Sequence, residues 1–260
     1  MPDAKGTALV TGASAGLGLE LARLFAKDKH DLVLVARRRE KLDELASELA
    51  KAHGVKSLVV PADLADAKAP AAIFEQVTAA KVEVDFLVNN AGFGSSGRFH
   101  ELDARRELDM VQVNVTALLH LTRLFLPGMV ARKRGRVLNI GSTAGFVPGP
   151  FMATYYASKA FVNSFTEALA HELKGTGVTA TVHCPGATAT EFATVAKNEG
   201  SKLFKSGVAD SASVALHAYR SMLAGKAIAV PGLANKLKVF APRIAPRSIA
   251  TGIAARLNRI

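Results

Sequence analysis

The sequence predicts a doubly wound α/β fold, in which helices cover both faces of a seven-stranded, mostly parallel sheet. Short apolar runs rich in β-branched residues alternate with longer amphipathic stretches along the chain. Each interval between two runs is long enough for the crossover that parallel strands require. A glycine-rich turn between the first run and the first amphipathic stretch is typical of nucleotide-binding sheets of this kind.

The predicted elements follow one another in strict alternation. Strands are predicted at 7–12, 31–37, 57–63, 85–92, 136–142, 178–186 and 227–232. Helices are predicted between them at about 16–28, 38–52, 66–80, 103–131, 152–174 and 208–224. The longest apolar zone lies in the fourth helix and is interrupted by His120, Arg123 and Pro127. We therefore interpret it as a buried amphipathic helix and not as a membrane span.

The chain of 260 residues is 49% hydrophobic and can bury a sizeable core, so we expect one domain over 1–260. The segment at about 187–210 is the least periodic and follows a strand end, which predicts a substrate lid. The segment at about 233–260 is predicted to form a basic extension outside the core. That extension either contacts a membrane or another subunit, or forms a solvated helix that covers the domain edge.

The net charge of +11 admits nucleic acid, an anionic membrane surface or an anionic cofactor as partners. Much of the excess lies near the C-terminus, since no Asp or Glu follows Asp210. This region lacks a nucleic-acid-binding motif, so we expect no nucleic acid and at most a weak membrane contact. The single cysteine, Cys184, and scattered histidines predict no metal site, and the N-terminus lacks a secretory pattern, which favours the cytoplasm.

The glycine-rich turn reads TGASAGLG over 11–18 and places glycines at Gly12, Gly16 and Gly18. Such a turn lets the backbone approach a pyrophosphate, and the following helix offers free N–H groups to it. The spacing departs from the commoner GxGxxG pattern. The turn predicts a bound dinucleotide, with a tight turn that binds no ligand as the alternative.

The second strand ends in LVLVARRRE over 32–40. An NAD-preferring site carries an acidic residue near this point, whereas here Ala36 is followed by Arg37 and Arg38. A guanidinium matches the charge and geometry of a phosphate. The sequence therefore predicts NADP(H), with Arg37, helped by Arg38, at the 2′-phosphate.

The stretch ATYYASKAF over 153–161 places Tyr155 and Tyr156 just before Lys159. In a helix, Lys159 would lie about 40° around the axis from Tyr155 and about 60° from Tyr156. Either phenol could reach the ammonium, so helical geometry leaves both open, as well as a plain surface helix. We expect the lysine cation to lower the pKa of a catalytic phenol from about 10 towards neutrality.

Taken together, the motifs resemble the short-chain dehydrogenase/reductase family over about residues 5–235. They occur in the family's order: TGASAGLG at 11–18, NNAG at 89–92, Asn114, Ser142, YYASK at 155–159 and PGAT at 185–188. The family's tyrosine stands four residues before its lysine, and Tyr155 meets this spacing. The resemblance thus implies that Tyr155 is the catalytic acid, and that Tyr156 packs or lines the pocket.

The resemblance also implies roles for the remaining motif residues. Ser142 would bond the substrate oxygen, Asn114 would hold a proton-supplying water, and Lys159 would bond the nicotinamide ribose. The implied cofactor contacts are Gly12, Ser14, Ala15, Gly16, Leu17, Gly18, Arg37, Arg38, Asp63, Leu64, Asn90, Ala91, Gly92, Tyr155, Lys159, Pro185, Gly186 and Thr188. Asn114 could instead satisfy backbone groups, and Ser142 could cap a strand end.

The predicted function is that of an NADP(H)-dependent oxidoreductase, which moves a hydride between nicotinamide and a carbonyl or secondary alcohol. Ketone, steroid-like and 3-ketoacyl substrates all fit the resemblance, which also implies a homodimer or homotetramer. A non-catalytic dinucleotide-binding regulator is the alternative, although such a protein would be expected to lose Tyr155 or Lys159. A basic adaptor for nucleic acid or membranes rests on charge alone.

Overall fold

The computed structural model describes residues 5–196, 198 and 208–259, and it contains a parallel sheet of seven strands in the order β3-β2-β1-β4-β5-β6-β7. The strands are β1 (Thr7–Thr11), β2 (Asp31–Ala36), β3 (Ser57–Pro61), β4 (Phe86–Asn89), β5 (Gly135–Ile140), β6 (Val178–His183) and β7 (Ile228–Ala229). Every pair of neighbouring strands is parallel. The predicted doubly wound fold is confirmed.

Each of the six predicted helical ranges overlaps at least one described helix, and three further helices lie in the segments 187–210 and 233–260. The described helices are α1 (Gly16–Lys27), α2 (Arg39–His53), α3 (Ala69–Ala79), α4 (Ala104–Val111), α5 (Leu118–Ala131), α6 (Ala153–Glu172), the short α7 (Phe192–Val195), α8 (Ser211–Leu223), α9 (Leu233–Ile244) and α10 (Arg247–Asn258). Short 3₁₀ turns occur at Phe99–Glu101 and Thr143–Phe146.

The sheet separates two cores because successive strand residues point to opposite faces. On one face, Val10 and Leu34 pack with apolar side chains of α1, α2 and α8. On the other face, Leu9 and Val33 pack with α3, α5 and α6. Both faces of the sheet are therefore buried, which explains why its strands are continuous apolar runs.

The predicted helix at 103–131 is continuous from Ala104 to Ala131 but contains a π-helical turn at Gln112–Ala117. Such turns concentrate at functional sites, and this one carries Asn114. This helix is long and apolar enough to cross a membrane, but the buried core helices of other proteins have the same length and composition. Here Leu121 and Met129 are buried against the sheet.

Several strands end earlier than predicted. The strand predicted at 85–92 is observed only at Phe86–Asn89, and the strand predicted at 227–232 only at Ile228–Ala229. The apolar pattern continues past the last ladder hydrogen bond into the loops at the carboxyl edge of the sheet. Those loops belong to the functional site. The prediction of a single domain over 1–260 stays a prediction.

Candidate functional site

A cleft of about 1060 Å³ opens at the carboxyl edge of the sheet, around the point where β1 lies beside β4. In a doubly wound sheet this is the crevice where the strand order reverses and where ligands bind. The predicted site residues that line it are Gly12, Ser14, Ala15, Gly16, Leu17, Arg37, Arg38, Asp63, Leu64, Asn90, Ala91, Gly92, Ser142, Tyr155, Lys159, Pro185, Gly186 and Thr188. Gly18 and Asn114 do not line it and lie behind its wall.

The glycine-rich turn has the shape that a pyrophosphate requires. Gly12 has a φ of 67°, and a Cβ built on Gly18 would lie 2.2 Å from the carbonyl oxygen of Gly12. Asn90 braces the turn through a hydrogen bond of 2.9 Å from its Nδ2 to the carbonyl oxygen of Thr11. Ala15 precedes α1 without a side-chain cap, so the first N–H groups of the helix stay open to an anion. These residues fit a dinucleotide.

The two arginines after β2 differ in their surroundings. Arg38 donates to both carboxylate oxygens of Glu191, at 3.3 and 3.2 Å, and to Ser14 Oγ at 3.2 Å. Arg37 is exposed and lines the cleft next to the small Ala36. Arg37 is therefore open to a phosphate, whereas Arg38 already holds a carboxylate.

Tyr155 and Lys159 lie one turn apart on α6, and Ser142 follows β5. Lys159 Nζ lies 5.9 Å from the centroid of the Tyr155 ring and donates a hydrogen bond of 2.7 Å to the carbonyl oxygen of Ile140. Ser142 and Tyr155 both line this end of the cleft, and Ser142 Oγ accepts a hydrogen bond from the Ala144 N–H at 3.0 Å. A phenol, a hydroxyl and an ammonium thus meet at one end of the cleft.

The expectation that the Lys159 cation lowers the pKa of Tyr155 is wrong for this structure. Burial raises the pKa of Tyr155 above its ordinary value of 10.0, although the hydrogen bond with Ser142 lowers it. Burial also lowers the pKa of Lys159 to about 8. The reason is that the ammonium is directed at Ile140, while the phenol is enclosed by neighbours such as Phe192, whose ring centroid lies 5.0 Å away. Tyr155 is consequently a protonated donor at neutral pH.

Asn114 is fully buried in the π-helical turn and holds a loop backbone. Its Oδ1 accepts from the Phe93 N–H at 3.1 Å, and its Nδ2 donates to the Phe93 carbonyl and to Ser158 Oγ, both at 3.0 Å. A Cβ built on Gly92 would lie 3.0 Å from Asn114 Oδ1 and 3.5 Å from Lys159 Nζ. Asn114 therefore satisfies backbone groups immediately beside Lys159, and its water-holding role stays a prediction.

The family model for short chain dehydrogenases matches residues 6–200. The chain belongs to the short-chain dehydrogenase family. This confirms the resemblance given by the sequence motifs and makes the protein a member of a family of oxidoreductases.

The chain is 38% identical over 180 residues to a ketoacyl reductase of Nostoc sp.. It is 36% identical over 197 residues to the very-long-chain 3-oxoacyl-CoA reductase of Anas platyrhynchos. The alignments cover 69% and 73% of this chain and 62% of each relative. The chain thus spans about three fifths of the length of these relatives.

Two solved structures of the family share the fold over nearly the whole chain. A short-chain dehydrogenase from Sphingobium yanoikuyae in complex with NADPH has a TM-score of 0.83 and 32% identity, with 94% of both chains covered. A short-chain dehydrogenase/reductase from Burkholderia phymatum in complex with NAD has a TM-score of 0.82 and 26% identity, covering 92% of this chain and 93% of the other.

The short-chain dehydrogenase cleft has a wall that the sequence did not predict. Helices α9 and α10, in the region expected to lie outside the core, contribute Lys238, Ala241, Ile253 and Leu257 to the lining. Helix α10 is anchored by Asn258, which accepts a hydrogen bond of 3.0 Å from the phenol of Tyr156 and donates one of 3.1 Å to the Pro150 carbonyl. No local pattern marks these contacts, because their partners lie 102 and 108 residues apart in the chain.

Arg106 is a second residue that the motifs did not reveal. Its guanidinium stacks on Phe93 at 5.2 Å from the ring centroid and donates hydrogen bonds to the carbonyl oxygens of Gly94 and Val195. It thereby joins the start of α4 to α7. Three arginines within 98–106 were the sequence feature that could have pointed to Arg106, but charge alone does not specify a backbone partner.

The lid predicted at 187–210 is closed at its base by backbone pairing between Thr188 and Ala209. Its first part places Phe192 and Val195 in the cleft wall. Within the predicted lid, Lys197, Lys202, Leu203, Phe204 and Lys205 lie outside the described residues.

Proposed function

We propose that the protein is an NADP(H)-dependent oxidoreductase that reduces a ketone, or oxidises the corresponding secondary alcohol, in the cleft described above. The observation that carries the proposal is the meeting of Tyr155, Ser142 and Lys159 at one end of a cleft whose other end holds the glycine-rich turn and Arg37. The NADPH complex of the Sphingobium yanoikuyae structure supports the choice of cofactor.

The cofactor would be held along the length of the cleft. Its pyrophosphate would lie on the glycine-rich turn and the N-terminus of α1, its 2′-phosphate on Arg37, and its nicotinamide amide near Thr188. When bound, NADPH supplies the hydride that adds to the carbonyl carbon.

The chain's own residues would supply the proton and stabilise the negative charge on the substrate oxygen. The Ser142 hydroxyl and the Tyr155 phenol both donate hydrogen bonds to the substrate oxygen, where negative charge develops. Tyr155, protonated at neutral pH because burial raises its pKa, transfers its proton to that oxygen. Lys159 would bond the nicotinamide ribose, and its ammonium, when charged, would offset only part of the cost of leaving a buried phenolate.

The substrate is proposed to be a ketone on a largely apolar body. Apolar side chains from the loop before α6 and from α7, α9 and α10 line the cleft: Val147, Met152, Phe192, Val195, Pro242, Ile253 and Leu257. A 3-ketoacyl chain or a steroid-like ketone fits such a lining better than a small polar ketone does. The names of the two curated relatives, a ketoacyl reductase and a 3-oxoacyl-CoA reductase, support the acyl class.

The cofactor assignment is tested by Arg37→Ala, with Arg39→Ala as the matched control. Arg39 belongs to the same run of arginines, but it pairs with Asp43 at 3.6 Å and does not line the cleft. Loss of a phosphate contact of about 1.5–3 kcal/mol should raise the KM for NADPH by about tenfold to a hundredfold in Arg37→Ala. Kinetics with NADH should change little, and Arg39→Ala should resemble the wild type. Wild-type turnover of NADH at equal or better kcat/KM would refute the assignment.

Catalysis itself is tested by NADPH oxidation with 3-ketoacyl thioesters, steroid ketones, small ketones and aldehydes. The proposal expects turnover with at least one apolar ketone. Tight NADPH binding without turnover across the panel would favour the alternative, a non-catalytic dinucleotide-binding regulator.

A further inference from the structure

The helices α9 and α10 carry apolar side chains on their solvent faces. Four exposed apolar residues follow one another on α9 at intervals of three or four: Leu233, Leu237, Phe240 and Ile244. Their exposed fractions lie between 56% and 76%. Residues at this spacing share one face of a helix. We name this face the α9 stripe.

A second stripe lies on α10, where Ile249, Ile253 and Leu257 are exposed and follow one another at intervals of four. An adjacent face of α10 buries Ala254 and Asn258 against the body of the protein. The bonds of Asn258 to Tyr156 and Pro150 fix this orientation, so the apolar face of α10 is exposed to solvent and borders the cleft through Ile253 and Leu257.

The charge of the two helices has one sign. Six exposed cations lie between 233 and 259: Lys236, Lys238, Arg243, Arg247, Arg256 and Arg259. No Asp or Glu occurs in this stretch. Lys236 and Arg243 flank the α9 stripe at neighbouring helical positions, and Arg256 adjoins the α10 stripe. An apolar face bordered by cations is the pattern of a helix that lies in a membrane interface.

We propose that α9 and α10 dock on the surface of an anionic lipid bilayer, with their apolar stripes among the acyl chains and their cations at the level of the lipid phosphates. Long lysine and arginine side chains can extend from a buried stem to that level. A second copy of the chain fits less well, because a two-fold contact would bring six cations against six cations.

The docking surface adjoins the cleft, since Ile253 and Leu257 both line the cavity and are exposed. Docking would place the mouth of the cleft beside the bilayer. The proposal does not depend on the reaction catalysed there, because binding is measured without substrate.

The proposal is tested by sedimentation of the full chain with vesicles of phosphatidylcholine alone and of equimolar phosphatidylcholine and phosphatidylglycerol. The bound fraction should be at least about tenfold higher with the anionic vesicles and should fall as salt is raised. Equal binding to both compositions, or no binding to either, would overturn the proposal.

Two phenylalanines provide a matched pair of variants. Phe240→Asp, within the α9 stripe, should lower the partition constant for anionic vesicles by about tenfold or more. Phe99→Asp should leave it unchanged, because Phe99 is 66% exposed on a different part of the surface and does not line the cleft. Equal losses in the two variants would contradict the assignment of the surface.

A charge variant covers the case in which Phe240→Asp does not fold, as judged by circular dichroism. Lys236→Gln combined with Arg243→Gln removes two exposed cations and should lower anionic-vesicle binding by about tenfold. If light scattering shows instead that Phe240→Asp converts a larger species into a smaller one while vesicles bind neither protein, the surface contacts a second copy and the membrane proposal is wrong.

Discussion

Tyr155 and Tyr156 are adjacent in the chain, but their phenols have different partners. Both tyrosines line the cleft, but Tyr155 lies there with Ser142, whereas the Tyr156 phenol donates a hydrogen bond to Asn258. Tyr155→Phe should lower kcat by at least about a hundredfold, because it removes the proton donor, while NADPH affinity stays within a few-fold. Tyr156→Phe should lower stability by about 1 kcal/mol through the lost hydrogen bond and leave kcat nearly unchanged.

Steady-state kinetics, NADPH titration and thermal unfolding of the two tyrosine variants separate these outcomes. Comparable losses of kcat in two folded variants would show that the catalytic assignment to Tyr155 is wrong.

Lys159 provides a pH-dependent prediction. A lysine is cationic below its pKa, and burial lowers the pKa of Lys159 to about 8. Its ammonium is therefore present at neutral pH and is lost as the pH rises through about 8. We expect kcat/KM for NADPH, which reports groups of the free enzyme, to fall as the pH rises above that value.

The control for this pH profile is Arg37→Ala. Its kcat/KM should be lower throughout and should bend at the same pH, because the variant leaves Lys159 unchanged. A wild-type profile that stays flat to well above pH 9 would contradict the role given to Lys159.

At the scale of elements, the contact between Arg38 and Glu191 joins the end of β2 to the start of the lid. The two side chains are 46% and 60% exposed, so their pairing contributes about 0.2–1 kcal/mol. A phosphate bound at Arg38 has to compete with the Glu191 carboxylate. Glu191→Gln should consequently lower the KM for NADPH by about twofold to fivefold and leave the KM for NADH unchanged.

The kinetic comparison with both cofactors checks this contact, and Glu44→Gln is a suitable control. Glu44 is an exposed carboxylate on α2 that pairs with Lys41 away from the cleft. An increase in the KM for NADPH in Glu191→Gln would mean that Glu191 orders Arg38 for the phosphate and does not compete with it.

At the scale of the whole molecule, the helices α4 to α6 leave a second apolar surface exposed, which is separate from the α9 stripe. It contains Leu108, Val111, Leu119 and Phe161. Pairing of these helices across a two-fold axis would bury this surface, and closed symmetry is the usual state of soluble oligomers. We predict a homodimer or homotetramer of the 27.3 kDa chain.

Light scattering at micromolar concentration tests the assembly. The wild type should exceed 27.3 kDa, and Phe161→Asp should shift it towards that mass by placing a charge in the interface. Phe240→Asp should not change the mass, since the α9 stripe is assigned to lipid. A wild-type mass of 27.3 kDa, that of one chain, would contradict the prediction of an oligomer.

The sequence by itself determined the alternation of strands and helices, because hydrophobic periodicity is a local property of the chain. It also determined the glycine-rich turn, the arginines after β2 and the Tyr155–Lys159 spacing, since each feature lies within one short segment. The Asn114 position was predicted from a motif, but its π-helical turn was not, because a single turn of i→i+5 hydrogen bonding has no residue pattern that marks it in one sequence.

Only the tertiary structure decided how these segments act on one another. The hydrogen bond of Lys159 to Ile140, the pairing of Arg38 with Glu191 and the tie between Tyr156 and Asn258 span 19, 153 and 102 residues. Burial, which sets the pKa values of Tyr155 and Lys159, likewise depends on packing. The C-terminal helices became a wall of the cleft for the same reason: the contacts that hold them there join residues that no local sequence pattern relates.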